Sequence, residues 1–223
     1  SNALNTTIKI KQLAPNSGIA ELLEGDIFLA NKKISHSLQS YKQAYKIKPN
    51  KKVLNQIIRL IDPQESIDFL QSLLENNEKD INAHLMLANI FKAQNKTKET
   101  KEHYLAILLE HPNNSIILNN LAWIYHQENN AKGLPLAKKA YEQQPDSINI
   151  TDTYGVILAH QGQVKLGIKI LKKLAKQVPE NYDIQFHLAK AYFINKETNQ
   201  AKRILNKILK QNIKFSEKKK AIK

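Results

Sequence analysis

The chain has 223 residues, 42% of them hydrophobic, and a formal net charge of +14. No cysteine is present, which excludes disulfides, thiol catalysis and cysteine-based metal sites within these residues. No run of about 18 apolar residues occurs, so nothing here reads as a membrane span. Only Arg59 and Arg203 are arginine, and the remaining basic residues are lysine. Specific readers of phosphates and bases favour the bidentate guanidinium fork, so the charge reads as a solvated lysine surface rather than a nucleic-acid footprint.

Taken in chain order, Ser1-Asn2-Ala3 reads as the remnant of an expression tag, and 4–17 as the truncated second helix of a preceding repeat. Prolines then recur at Pro15, Pro49, Pro112, Pro145 and Pro179, at intervals of 34, 63, 33 and 34 residues. Set in register on those prolines, the eighth position is small in every full repeat: Gly25, Ala88, Ala122, Gly155 and Ala189. Three residues on stand Phe28, Phe91, Tyr125, Leu158 and Tyr192. The twentieth position is again small (Ser37, Thr100, Gly133, Gly167, Ala201), and four residues later come Tyr41, Tyr104, Ala137, Leu171 and Leu205.

Asn31, Asn95, Asn129, Gly162 and Asn195 lie between the two helices of each repeat, where a left-handed residue is expected. The repeats run 18–51, 52–80, 81–114, 115–147, 148–181 and 182–212, followed by a partial capping helix over 213–223 that Ser216 can cap. The second repeat is short, with Asp62 as N-cap, Pro63 at the first helical position and Glu65 two residues later. In the fourth, Gly133-Leu134-Pro135 starts the second helix late. A period of about 34 with two helices ending in proline resembles the tetratricopeptide repeat (TPR). The resemblance implies an all-α TPR solenoid, a right-handed superhelix of antiparallel helix pairs.

In such a solenoid the first helix of each repeat lines a concave groove. The positions implied to face it bring forward Asn82, Asn89, Asn119, Trp123, His126, Asp152, His160, Phe186 and Lys190 as partner-binding residues. Asparagines can bond an extended backbone, and Trp123 or Phe186 can take apolar side chains. Trp123 can equally pack against the neighbouring repeat. His126 with His160 lacks a third ligand for a metal. Asp152 and Asp183 lack a nucleophile or second acid for catalysis, and His84 and His187 read as packed or half-exposed. The lysine–asparagine clamp for C-terminal carboxylates is broken by Leu85 where its lysine would stand, although Asn89 and Asn120 fit. No glycine pattern fits a phosphate loop. No cofactor, metal or catalytic residue is expected.

A more particular resemblance comes from the wording between these positions. Leu22-Leu23-Glu24-Gly25-Asp26, Ser40-Tyr41-Lys42-Gln43-Ala44-Tyr45, Leu118-Asn119-Asn120-Leu121-Ala122-Trp123, Ala140-Tyr141-Glu142, Asp152-Thr153-Tyr154-Gly155 and Gly167-Ile168-Lys169-Ile170-Leu171 follow in one order. That order resembles the C-terminal part of the TPR-repeat lipoproteins associated with PEP-CTERM/exosortase systems. The resemblance implies a longer exported protein, lipid-anchored through a segment outside this sequence and periplasmic or attached to the outer membrane. The implied role is a non-catalytic scaffold binding a protein or peptide partner for cell-envelope protein sorting or exopolysaccharide assembly. The alternatives are a cytoplasmic scaffold and a lysine-mediated binder of nucleic acid or anionic polymer. Against the latter, Lys32, Lys33, Lys98, Lys101, Lys138, Lys139, Lys172 and Lys173 fall on second helices or turns, away from the groove. Oligomeric state is not legible.

Overall fold

The computed structural model describes residues 2–210, which form thirteen helices and no strand among the described residues. They are α1 (Asn2–Leu13), α2 (Ile19–Ala30), α3 (Ile34–Ile47), α4 (Lys51–Leu60), α5 (Pro63–Asn76), α6 (Ile81–Ala93) and α7 (Thr97–Glu110). There follow α8 (Ser115–Gln127), α9 (Gly133–Gln143), α10 (Ile148–His160), α11 (Val164–Gln177), α12 (Tyr182–Ile194) and α13 (Thr198–Lys210). The first turn of α1 runs through residues read from the sequence as a tag remnant. The expected helix over 213–223, Ser216 and the last residues of the final repeat lie outside the described residues.

The helices gather into two compact units, residues 1–107 and 108–223, each with its own core. In the first, α2 packs on α1 and α3, α3 on α4, and α5 on α6. Tyr41, Tyr45, Leu54, Ile57, Leu70 and Leu87 are fully or almost fully buried there. Gly25 is required by packing: a Cβ at this position would lie 2.4 Å from the Tyr41 ring. Ser37 is small for the same reason, and its hydroxyl donates to the Gly25 carbonyl at 2.8 Å. Tyr45 reaches across 35 residues to donate to both oxygens of Asp80, at 2.9 and 3.1 Å. The same carboxylate caps α6 by accepting from the Asn82 and Ala83 amides. Burial, then the bond to Asp80, pushes the Tyr45 phenol pKa upward.

The second unit alternates regularly. Each of α9, α11 and α13 packs on the helix before it, α9 and α11 also on the helix after, and α10 touches both α8 and α12 directly. Gly155 on α10 would place a Cβ 2.7 Å from Leu171 on α11, and Gly167 would place one 2.7 Å from the Gly155 carbonyl. Leu121, Ile157, Leu158 and Leu171 fill the space around these close approaches. Small residues at the eighth and twentieth positions are therefore imposed by helix–helix distance, and all ten are buried.

The turns follow one rule. After α2, α6, α8, α10 and α12 the residue beyond the C-cap has positive φ: Lys32, Asn95, Asn129, Gly162 and Lys196. The next amide then bonds back to the carbonyl of Phe28, Phe91, Tyr125, Leu158 or Tyr192, at 2.8–2.9 Å. This is the six-to-one closure of a helix C-terminus. The expected left-handed asparagines hold at Asn95 and Asn129, but Asn31 and Asn195 are C-caps with φ of −88° and −76°. The left-handed residue is the lysine after each. The α4–α5 turn is different: Ile61 is extended and Asp62 accepts from Gln64 and Glu65 at 2.8 and 2.9 Å. The short repeat saves its residues here and in α4, which has 10.

Candidate functional site

In the second unit α8, α10 and α12 lie side by side, so their outward positions form one continuous layer. Side chains stitch the layer crosswise. The His126 and His160 rings meet edge to face, with centroids 4.9 Å apart, joining α8 to α10. His187 Nδ1 on α12 donates to Asp152 on α10, at 2.8 and 2.9 Å to its two oxygens. Trp123 on α8 lies tilted against His126 at 5.3 Å and His187 at 6.5 Å.

The electrostatics follow from burial and crowding. Burial first, then the nearby His160, Lys190 and His187, pushes the His126 pKa down to about 4. His160 is also lowered, by burial and then by Lys190 and His187. Both imidazoles are therefore neutral near pH 7, each ring keeping one donor and one acceptor nitrogen. The Lys190 ammonium stands 5.9 Å from the Phe186 ring centroid. The space enclosed by His160, His187 and Lys190 is about 10 Å³. That is room for one water molecule, so this face offers a surface rather than a pocket for a small molecule. Among the described residues, no group of three or more His, Cys, Asp or Glu is placed to hold a metal ion, and no helix is long and apolar enough to cross a membrane.

Of the residues singled out from the sequence, Asn119, Trp123, His126, Asp152, His160, Phe186 and Lys190 belong to this unit, while Asn82 and Asn89 sit on α6 in the first unit. Asn119 is half-buried, and its Oδ1 is buried without a hydrogen-bond partner among the described residues. Trp123 is partly buried and packs against the cluster containing Val156, Ala159, Leu188 and Ala191, so the packing alternative applies to it. Phe186 requires correction. It is 4% exposed and cannot serve as a surface anchor. The exposed aromatic of α12 is Phe193, at 67%. Asp152 is engaged with His187, which the sequence alone left as packed or half-exposed. Their separation of 35 places them at adjacent positions of successive first helices, a spacing that could have revealed the pair.

In the first unit His84 is also engaged. Its Nε2 lies 2.9 Å from the Glu78 carbonyl and its Nδ1 2.8 Å from His103 Nδ1. A carbonyl only accepts, so His84 Nε2 carries a proton. The two facing Nδ1 atoms share one proton between them. The His103 ring also stacks on Phe91 at 5.6 Å.

A tetratricopeptide-repeat family profile matches residues 158–215. Among proteins of curated function no significant match is found. Solved structures align over most of the chain. A TPR protein from Parabacteroides merdae ATCC 43184 is 17% identical, with a TM-score of 0.66 over 89% of this chain and 81% of its own. YrrB, a TPR protein with an unusual peptide-binding site, is 14% identical, with a TM-score of 0.54 over 94% of each chain. PilW, a type IV pilus biogenesis factor, is 20% identical, with a TM-score of 0.58 over 70% of this chain and 73% of its own. The fold is the all-α TPR solenoid.

Proposed function

We propose that the chain is a non-catalytic interaction scaffold that takes an extended peptide segment of a protein partner along the α8–α10–α12 layer, the concave side of the TPR architecture. The observation that carries this reading is unspent hydrogen-bonding capacity on a continuous face. Asn119 Oδ1 has no partner among the described residues, and the His126 and His160 rings pack on each other, and His126 on Trp123, with Lys190 close by. That oxygen has almost no accessible surface, so a peptide N–H reaches it only once the Asn119 amide turns outward, and pairing it then recovers about 1–3 kcal/mol. Ile116 on α8 and Phe193 on α12 are exposed and suit apolar side chains. The peptide-binding site of YrrB supports the same use of a shared fold.

The partner belongs, on this reading, to cell-envelope protein sorting or exopolysaccharide assembly, with the scaffold held in the periplasm or at the outer membrane by a lipid anchor. The sequence resemblance supports this placement, and the fold shared with a pilus biogenesis factor accords with it. Fractionation of cells making the full protein tests it: recovery in the cytosol would exclude it.

The binding face is tested by selecting displayed peptides on the wild-type protein and titrating the selected sequences against variants. Asn119→Ala and His160→Ala are expected to weaken binding by about tenfold each, equivalent to about 1.4 kcal/mol. Lys169→Ala on exposed α11 is expected to leave it unchanged. Equal affinities for all four proteins would move the site off this face. Trp123 is a poor probe, because its packing makes truncation a loss of stability first.

A further inference from the structure

The opposite layer of the second unit, built by α11 and α13 over α12, carries a groove of about 760 Å³ that the peptide-binding face does not use. Lys172 and Lys176 stand one turn apart on α11, and Arg203 and Lys207 one turn apart on α13; all four line the groove. No acidic residue lines it. Glu180, beside its rim, accepts a hydrogen bond from Tyr182 at 3.0 Å. Between the two rows of cations lie Leu188 and Tyr192 from α12 and Ile204 from α13, with the uncharged Gln185 and Gln200 beside them.

Among the described residues no ion pair engages Lys172, Lys176, Arg203 or Lys207, and what sets them apart is that they gather in two rows around one groove. Lys11 pairs with buried Glu21 at 3.0 Å, Lys138 with Glu142 at 3.7 Å, and Lys42 lies over the Phe69 ring. The comparable groove between α1 and α3 is lined by Lys11 and Lys42, so its charge is already partly engaged. Like charges one turn apart repel, and two such rows facing each other favour an anionic occupant. Residues 211–223 contain five lysines and one glutamate, so the chain's own C-terminal segment has the wrong sign. A nucleic acid would match the charge and could stack a base on Tyr192, but the aliphatic Leu188 and Ile204 favour apolar side chains. Three of the four cations, moreover, are lysines rather than bidentate arginines.

We propose that this groove docks an acidic amphipathic segment of a partner protein, with carboxylates toward the cation rows and apolar side chains on the residues between them. The segment is helical in the simplest fit, because acidic residues one turn apart then match cations one turn apart on either wall.

The test uses three labelled probes. One is a Glu/Leu amphipathic peptide of about 15 residues, a length at which an isolated helix becomes marginally stable. The second is the same peptide with Gln for Glu, and the third is an oligothymidylate. Each is titrated into wild type, Lys176→Glu/Arg203→Glu, the charge-matched Lys98→Glu/Lys169→Glu, and Asn119→Ala, with thermal melts confirming that every variant is folded. The Glu peptide is expected to bind wild type, to lose about tenfold or more in the groove variant, and to change by less than about twofold in the other two. The Gln peptide is expected to bind at least about tenfold more weakly than the Glu peptide. Equal losses in both charge-reversed variants would reduce the effect to net charge and overturn the proposal. Unchanged affinity in the groove variant, or a Gln peptide binding as well, would also overturn it. An oligothymidylate that binds more tightly and is lost in the groove variant alone would make this a nucleic-acid groove instead.

Discussion

His103 is held in its neutral form by its surroundings. Burial, with the neighbouring His84, pushes its pKa down from 6.5 to about 4, and its Nδ1 lies 2.8 Å from His84 Nδ1. In the unfolded chain the same ring titrates at its ordinary value. Between about pH 6.5 and 4 the unfolded state therefore binds a proton that the native state does not, and stability falls as the pH falls. The loss is expected to be on the order of 1–2 kcal/mol between pH 7 and 5. Denaturant melts of wild type and His103→Asn at the two pH values check it: the variant should lose less. Identical pH dependence would mean that His103 is not desolvated as described. Residues of this kind were only partly legible. The sequence placed His126 and His160 near each other and left Trp123 between two readings, because the repeat register fixes which helix face a residue occupies. It put forward Phe186, which the folded α12 buries, and passed over Phe193, which it exposes.

At the scale of elements, the repeat register carried most of the information. The small residues at the eighth and twentieth positions reflect backbone approaches that a Cβ could not enter at Gly155 or Gly167. The capping of α5 by Asp62 and the late start of α9 at Gly133 were legible from the same letters. The turns were misread by one residue at two places, because asparagine was taken as the marker of left-handed backbone. The marker is geometric: the residue four beyond the eleventh position adopts positive φ whatever its type. A side chain in that conformation costs roughly 1–2 kcal/mol, and glycine there costs only extra unfolded-state freedom. Lys32→Gly and Lys196→Gly are therefore expected to raise stability by about 0.5–1 kcal/mol each. Asn31→Gly, one residue earlier with φ of −88°, should lower it. Thermal melts of the three variants decide the matter, and a gain at Asn31 would restore the original register.

For the whole molecule, charge is the dominant property. A net +14 spread over thirty-two lysines and two arginines gives general attraction to polyanions without a base-reading fork. Binding to duplex DNA is expected to be weaker than about 1 μM near 150 mM salt, with a shallow salt dependence, because few phosphates are neutralised at once. Anisotropy titrations over a salt series measure both, and submicromolar, sequence-dependent affinity would contradict the expectation. The turn geometry bears on how such a chain is recognised at all. Lysine, asparagine and glycine all occupy the left-handed site, while the carbonyl that receives the returning amide never changes position. The signal ending each first helix is thus written in hydrogen bonds rather than in letters, a code with many synonyms. Text comparison loses synonyms quickly, whereas shape comparison does not register them. The family profile reads 158–215, across turns closed by glycine and by lysine, while structural likeness runs along most of the chain.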